Sequence, residues 1–269
     1  MLKYLGMLGI KSKYRYWHLI KEIAITDFKL KYQGSVFGYL WSLGKPLAYF
    51  GVLYVVFTSV FKLGNSIPHY PIYLLMGVVI FGFWGEATSM AMNSIVSRGD
   101  LIRKIYFPRI VLVIASTLTS LITLSLNMLI VLAFAIFSGV HIGFSALWII
   151  PLIIELYIFV VGVSFYLAAL YVRFRDIGHI WEVINQALFY ATPIIYPLVL
   201  VPTNFAKLLM ISPLAQVIQD SRIALINFNA LSTKDYWGFY IIPEIIAIGI
   251  FISGYFVFQK MAAKFAEEV

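Results

Sequence analysis

Four carboxylates stand inside long apolar runs of this chain: Glu86, Glu155, Glu182 and Glu244. A charged group at mid-membrane costs about 2.5–3.5 kcal/mol on insertion scales, so each must face protein or water or carry a proton. Such groups either anchor a helix through one polar contact or pass protons along a chain of ionisable neighbours. All four histidines, His18, His69, His141 and His179, fall outside the apolar runs, and the one lysine within a run, Lys45, sits near its edge. The spacing therefore favours anchoring over a proton relay.

Other chemistries lack their residues. With no cysteine there is no disulfide, thiolate zinc site, iron–sulfur cluster or cysteine nucleophile. No H-E-x-x-H pair brings two imidazoles to one helix face, no G-x-S-x-G occurs, and no paired carboxylates are set for metal-dependent phosphotransfer. Gly44-Lys45 superficially suggests a phosphate-binding loop. Position 39 is Tyr where G-x-x-x-x-G-K-[ST] needs Gly, and Pro46 replaces the hydroxyl residue that would reach magnesium. The expectation is a chain that is not an enzyme and holds no metal or cofactor.

The chain has 269 residues, 62% hydrophobic and 12% charged, where soluble domains have about 45–50% and 25%. Apolar stretches at 39–61, 72–92, 110–137, 146–172, 180–201 and 239–258 are each long enough to cross a ~30 Å hydrocarbon layer as a helix. The fold class expected is all-α integral membrane with six transmembrane helices, residues 37–269 forming one domain behind a cytoplasmic segment 1–36. Fifteen of the twenty Lys/Arg lie on one side: Lys3, Lys11, Lys13, Arg15, Lys21, Lys29, Lys31, then Arg98, Arg103, Lys104 and Arg109, then Arg173 and Arg175, then Lys260 and Lys264. The opposite loops hold Lys62, Lys207, Arg222 and Lys234. The positive-inside rule makes that richer side, with both termini, cytoplasmic. The net charge of +8 follows from topology without nucleic acid.

Between the spans, the pattern specifies smaller elements. Over 15–31, at about 100° per residue, Tyr16, Trp17, Leu19, Ile20, Ile23, Ala24, Phe28 and Leu30 share one half of a helix, with Asp27 and Lys31 intruding. This is a helix lying in the membrane interface or one packed on the spans. After the second span, Asp100 is placed to cap about two helical turns, LIRKIYF, that Pro108 ends. The exposed Leu101, Ile102, Ile105 and Tyr106 expected there, beside Arg103 and Lys104, suit either a partner's groove or lipid headgroups. Small hydroxyl residues of the third span, Ser116 to Asn127, mark helix packing before a transport path. Pro193 and Pro197 should kink or break the fifth span, and helices are expected near 204–211 and 213–226.

The stretches KYQGSVFGYLWSLGKPL, LIRKIYFPR, VRFRDIGHIWEVINQALFYATPIIYP and SPLAQVIQDSRIALI, in this order, resemble the membrane subunits of type-2 ABC exporters. The likeness is to the branch that exports lipid-linked O-antigen or teichoic-acid polymers, and it covers nearly the whole chain. It implies a homodimer of twelve spans, each copy binding a separate cytoplasmic ATPase that holds ATP and Mg. It identifies Asp100, Leu101, Ile102, Arg103, Lys104, Ile105, Tyr106 and Phe107 as the helix that meets the ATPase, breaking the tie over that loop, and residues 15–31 as an interface helix. Residues 203–227 become two short re-entrant gate helices on the outer face, with Ser212, Pro213, Gln216, Asp220 and Arg222 at the gate. Ser212-Pro213 stands where many relatives have Asn-Pro, and Lys45 where many have Asn.

With that architecture, Arg15, Lys29 and Lys31 are expected to recruit the pyrophosphate of a lipid-linked glycan. Tyr39, Tyr49, Phe50, Phe57, Tyr190 and Tyr196 either guide sugar C–H faces or pack against lipid and protein. A drug or lipid cargo, or a proton-coupled secondary transporter, remains open as an alternative. Removing the charges of Arg15, Lys29 and Lys31 together should depress substrate-stimulated ATPase activity of the reconstituted complex. Unaltered stimulation by the lipid-linked substrate would count against a headgroup role.

Overall fold

The computed structural model describes residues 2–31, 33–35, 37–62, 67–104, 107–226, 232–238, 241–263 and 265, with side chains from residue 16 onward. Helices run α1 (Leu2–Lys31), α2 (Leu40–Ser59), α3 (Tyr70–Asn93), α4 (Gly99–Lys104), α5 (Ile110–Phe137), α6 (Ile149–Arg173), α7 (Ile177–Ala191), α8 (Thr203–Leu209), α9 (Pro213–Ile226), α10 (Thr233–Trp237) and α11 (Ile241–Ala262). No strand occurs among the described residues. Among the described residues, five helical stretches are long and apolar enough to cross a membrane: α2, α3, α5, α11, and α6 with the 3-10 turn Phe144–Trp148 that leads into it.

The expected span over 180–201 is not one continuous helix. α7 has 15 residues and stops at Ala191; Thr192 is extended, and the chain runs irregularly to Pro197 before a 3-10 turn, Leu198–Leu200. The two prolines account for the break. Residues preceding proline disfavour the helical region, and neither Pro193 nor Pro197 has an N–H to continue the ladder.

α3 forms the centre. From Tyr70 to Trp84 nearly every side chain is buried, because α2, α5, α6, α7 and α9 surround it. α6 and α11 cross closely through two glycines. A Cβ on Gly162 would come within 2.6 Å of the Phe251 nitrogen, and one on Gly254 would collide with the Gly162 carbonyl. In a membrane, where lipid competes equally for apolar surface, such close backbone packing is a main source of helix association. The hydroxyl residues of α5 serve the packing expected of them: Thr119 Oγ1 donates to Ala24 O of α1 (3.2 Å), and Thr117 meets the Tyr157 hydroxyl of α6 (3.3 Å). Asn127 reaches Ser42 O of α2 (3.2 Å).

The N-terminal helix is longer than its periodic segment. Ile20 is buried against Val111 and Ala115 of α5, and Ala24 is buried where Thr119 meets its carbonyl, while Trp17 and Leu30 stay exposed. It thus packs on a span and still presents apolar surface. Asp27 breaks the apolar face because its carboxylate pairs with Arg98. At the other end, Ser232 donates from both its nitrogen and its hydroxyl to Asp235, capping α10 and holding that carboxyl below its ordinary range.

Arg222, counted among the cations of the outer loops and expected on a gate helix over 213–226, sits on that helix with its charge buried. It is 0% exposed on α9, with Nε donating to Tyr73 O (3.0 Å), Nη1 to Pro193 O (2.6 Å) and Nη2 to Ile194 O (2.7 Å). Its guanidinium also lies 3.5 Å from the Tyr73 ring centroid. One side chain therefore ties α9 to α3 and to the break after α7. Three carbonyls would lose a charged donor on Arg222→Met, so a loss of roughly 3–5 kcal/mol is expected. Arg222→Lys keeps the charge but not the planar fork and should recover only part of it. Thermal unfolding of the detergent-purified variants checks this; a wild-type midpoint for Arg222→Met would remove the role.

Candidate functional site

A cavity of about 980 Å³ opens between α2, α3, α5, α7 and the end of α1. Two lysines, Lys31 and Lys45, and two glutamates, Glu86 and Glu182, line it, so its formal charge balances. Asn127, Asn185, Gln186, Ser42 and Ser120 add hydrogen-bonding groups, and Trp41, Tyr49, Phe189 and Tyr190 supply aromatic surface. Amides and hydroxyls beside aromatic faces suit a hydroxyl-rich ligand with apolar C–H surfaces.

Local sequence explains the placement. Lys31 closes α1, where a cation favours the helix C-terminus, and its Nζ lies 2.7 Å from Glu86 Oε2 on α3. Glu86 Oε1 is buried and takes no hydrogen bond among the described residues. The carboxylate is thus neutralised at one oxygen and left with acceptor capacity at the other. α7 is held on α3 by Trp181, whose indole donates to Thr88 Oγ1 (3.2 Å) and whose ring meets Trp84. Close approach also depends on Gly85, where a Cβ would lie 2.8 Å from Asn185 Nδ2.

The candidate lining residues separate into groups. Tyr49 and Tyr190 line the cavity, both meeting Phe189 at ring distances of 5.6 and 5.3 Å. Phe50 is buried in the core with Tyr54 and Phe134, and Phe57 stacks on Phe61. Tyr39 stacks on Phe28 of α1, and the Tyr196 hydroxyl donates to Ala191 O (2.9 Å) across the break. Trp41, Asn127 and Asn185 line the cavity without having been singled out. Their signal in sequence was only a polar or interfacial residue in an apolar run, which packing alone also explains. Of the three basic candidates, Lys31 is paired with Glu86, Lys29 is exposed, and the side chain of Arg15 lies outside the described residues.

The loop between α3 and α5 differs in one respect from expectation. α4 is helical where predicted, but Ile102 is buried, not exposed, packing with Ala91, Ile95, Leu112 and Val113. A six-residue helix beside a hairpin turn needs an apolar anchor of its own, and Ile102 provides it. Asp100, Arg103 and Lys104 are exposed, Leu101 and Phe107 are half-buried, and Ile105 and Tyr106 lie outside the described residues. The loop is tied on both sides: Arg98 pairs with Asp27 of α1, and Arg109 donates to Ala262 O at the end of α11.

On α9, which begins at Pro213 directly after Ser212, Gln216 Nε2 donates to Asp220 Oδ2 (2.8 Å), and Arg222 makes its three carbonyl bonds one turn further on. No group of three or more His, Cys, Asp or Glu side chains able to hold a metal occurs among the described residues.

The O-antigen export system permease protein RfbA of Klebsiella pneumoniae is 28% identical over 264 residues, 97% of this chain and 99% of that protein. The protein of the same name from Myxococcus xanthus is 28% identical over 209 residues, 76% of this chain and 77% of its own length. The family profile described as ABC-2 type transporter matches residues 18–226, from the middle of α1 through the end of α9, and therefore takes in the tied loop, the cavity and the Arg222 bonds. By that match the chain belongs to the ABC-2 type transporter family of membrane proteins.

Proposed function

We propose that this chain is the transmembrane subunit of an ATP-driven exporter that moves a lipid-linked polysaccharide, of O-antigen or teichoic-acid type, across the cytoplasmic membrane. The observation that carries the reading is its end-to-end match to O-antigen export permeases. The amide- and aromatic-lined cavity supports it, since those groups suit a glycan.

Two copies form the working unit. The α2 residues Val52 and Val55 and the α7 residues Ile180, Val183 and Ile184 are uncovered in the single chain, on two of the helices that line the cavity. Pairing these faces across a two-fold axis would enclose two cavities in one path. α7 and the chain after it serve as the sixth crossing, with α8 and α9 as re-entrant gate helices fixed by Arg222. Both termini face the cytoplasm, as the distribution of Lys and Arg requires.

The energy comes from a separate ATPase subunit, which binds ATP and Mg and docks on α4. Its push passes through two ties. Ile102 carries it into the buried cluster beneath, and the Arg98–Asp27 pair carries it to α1, whose last residue, Lys31, holds Glu86 at the cavity. Lys29, exposed on the same helix, remains placed to meet a pyrophosphate headgroup, while Lys31 would have to leave Glu86 to do so.

Reversing the exposed charges with Arg103→Glu and Lys104→Glu should reduce co-purification of the ATPase and substrate-stimulated ATP hydrolysis by roughly tenfold or more, the scale of losing close interfacial charge pairs. Ile102→Asp acts differently, lowering the unfolding midpoint of the isolated subunit because it buries a carboxylate. A charge-reversed complex that forms and hydrolyses ATP as the wild type does would sink the docking assignment. Failure of any lipid-linked glycan to stimulate the reconstituted complex would sink the cargo.

A further inference from the structure

A second cavity, of about 870 Å³, lies between α6, α9, α11 and the 3-10 turn before α6. It shares no lining residue with the first. Its polar groups are Glu155 from α6, Gln216 and Asp220 from α9, Glu244 from the first turn of α11, and the hydroxyls of Ser145 and Ser232. No Lys, Arg or His is among the described lining residues.

These groups are built to receive a donor. Gln216 is only 2% exposed; its amide nitrogen donates to Asp220 Oδ2 at 2.8 Å and its side chain also hydrogen-bonds Glu155, while Oε1 has no partner among the described residues. Glu155 Oε1 and Asp220 Oδ1 are likewise buried with no hydrogen bond among the described residues, the Thr233 backbone meeting the Asp220 carboxyl elsewhere. Three acceptors without donors, two of them on carboxylates, carry a large desolvation cost unless a cation with N–H groups meets them. A primary ammonium carries three N–H donors and one positive charge. A bare metal ion fits less well, since the described carboxylates form no metal-capable group.

The walls identify what carries the ammonium. Trp148, Ile154 and Ile248 line the cavity and are exposed on the outside of the helices, where the hydrocarbon of the bilayer lies. Trp148 stands at the helix end, at the depth of the lipid headgroups, and Glu155 follows seven residues later, two turns deeper. An acidic pocket that opens near the headgroups at Trp148 and reaches about two turns inward to Glu155, with an apolar rim, fits a lipid whose amine enters while its chains stay outside.

We propose that this cavity binds the primary-ammonium headgroup of a membrane lipid, holding it among Glu155, Gln216, Asp220 and Glu244. The lipid then bridges α6, α9 and α11 on the side remote from the first cavity, whatever cargo passes through the latter. The test is lipid titration of the full-length detergent-purified subunit, read by native mass spectrometry, with phosphatidylethanolamine, phosphatidylcholine and phosphatidylglycerol of identical chains. Phosphatidylethanolamine should bind roughly tenfold tighter than the other two. Glu155→Gln with Asp220→Asn should abolish that preference. Glu244→Gln, at an exposed position, should weaken it. Equal binding of all three lipids by the wild type, or an unchanged preference in both variants, overturns the proposal. Competition by glycerophosphoethanolamine as strong as by the intact lipid also overturns it, since the site would then take a soluble amine.

Discussion

The burial of one guanidinium organises the half of the molecule around α9. Arg222 has no carboxylate partner, and its charge is met by three main-chain carbonyls and the face of one aromatic ring. A regular helix could not offer the Pro193 and Ile194 carbonyls in this way, because its own N–H groups would occupy them. Pro197 stands four residues after Pro193 and has no N–H, so the Pro193 carbonyl is released. On α3 the Tyr73 carbonyl can be reached because Gly77, one turn on, has no side chain; a Cβ there would collide with the guanidinium. The broken helix, the glycine and the arginine are therefore parts of one device. Removing any of the three leaves the other two without a purpose.

At the other end, the same economy of charge applies through ion pairs. Asp27 and Lys31 lie four residues apart at the end of α1 and face different partners, Arg98 in the loop before α4 and Glu86 in the cavity wall. α1 thus touches both the segment that would receive force and the cavity that would respond to it. A pair that is partly exposed contributes little stability by itself. Its value here lies in position, since the two pairs sit one turn apart on the same helix and join it to the segment before α4 and to the cavity wall.

Much of the architecture was legible in the sequence because it rests on composition and local chemistry. Five of the six apolar runs are helices close to their expected bounds, α8 and α9 fall where capping and periodicity placed them, and the hydroxyl residues of α5 pack between helices. Lipid imposes these outcomes: a backbone crossing hydrocarbon must satisfy its own hydrogen bonds, so a long apolar run becomes a helix whatever its neighbours. The two prolines likewise announced the break after α7.

What the sequence could not show is which polar side chain meets which. Arg222 counted among the outer-loop cations, Ile102 looked like an exposed docking residue, and Asp27 and Lys31 like flaws in an amphipathic face. Each acquires its meaning from a partner between 10 and 149 positions away, such as Ile102 with Leu112 or Arg222 with Tyr73. Apolar length and helicity are properties of a segment and its solvent, and the sequence alone determined them. The pairing of charges and the shape of both cavities depend on helices distant in sequence coming together, so only the tertiary structure decided them.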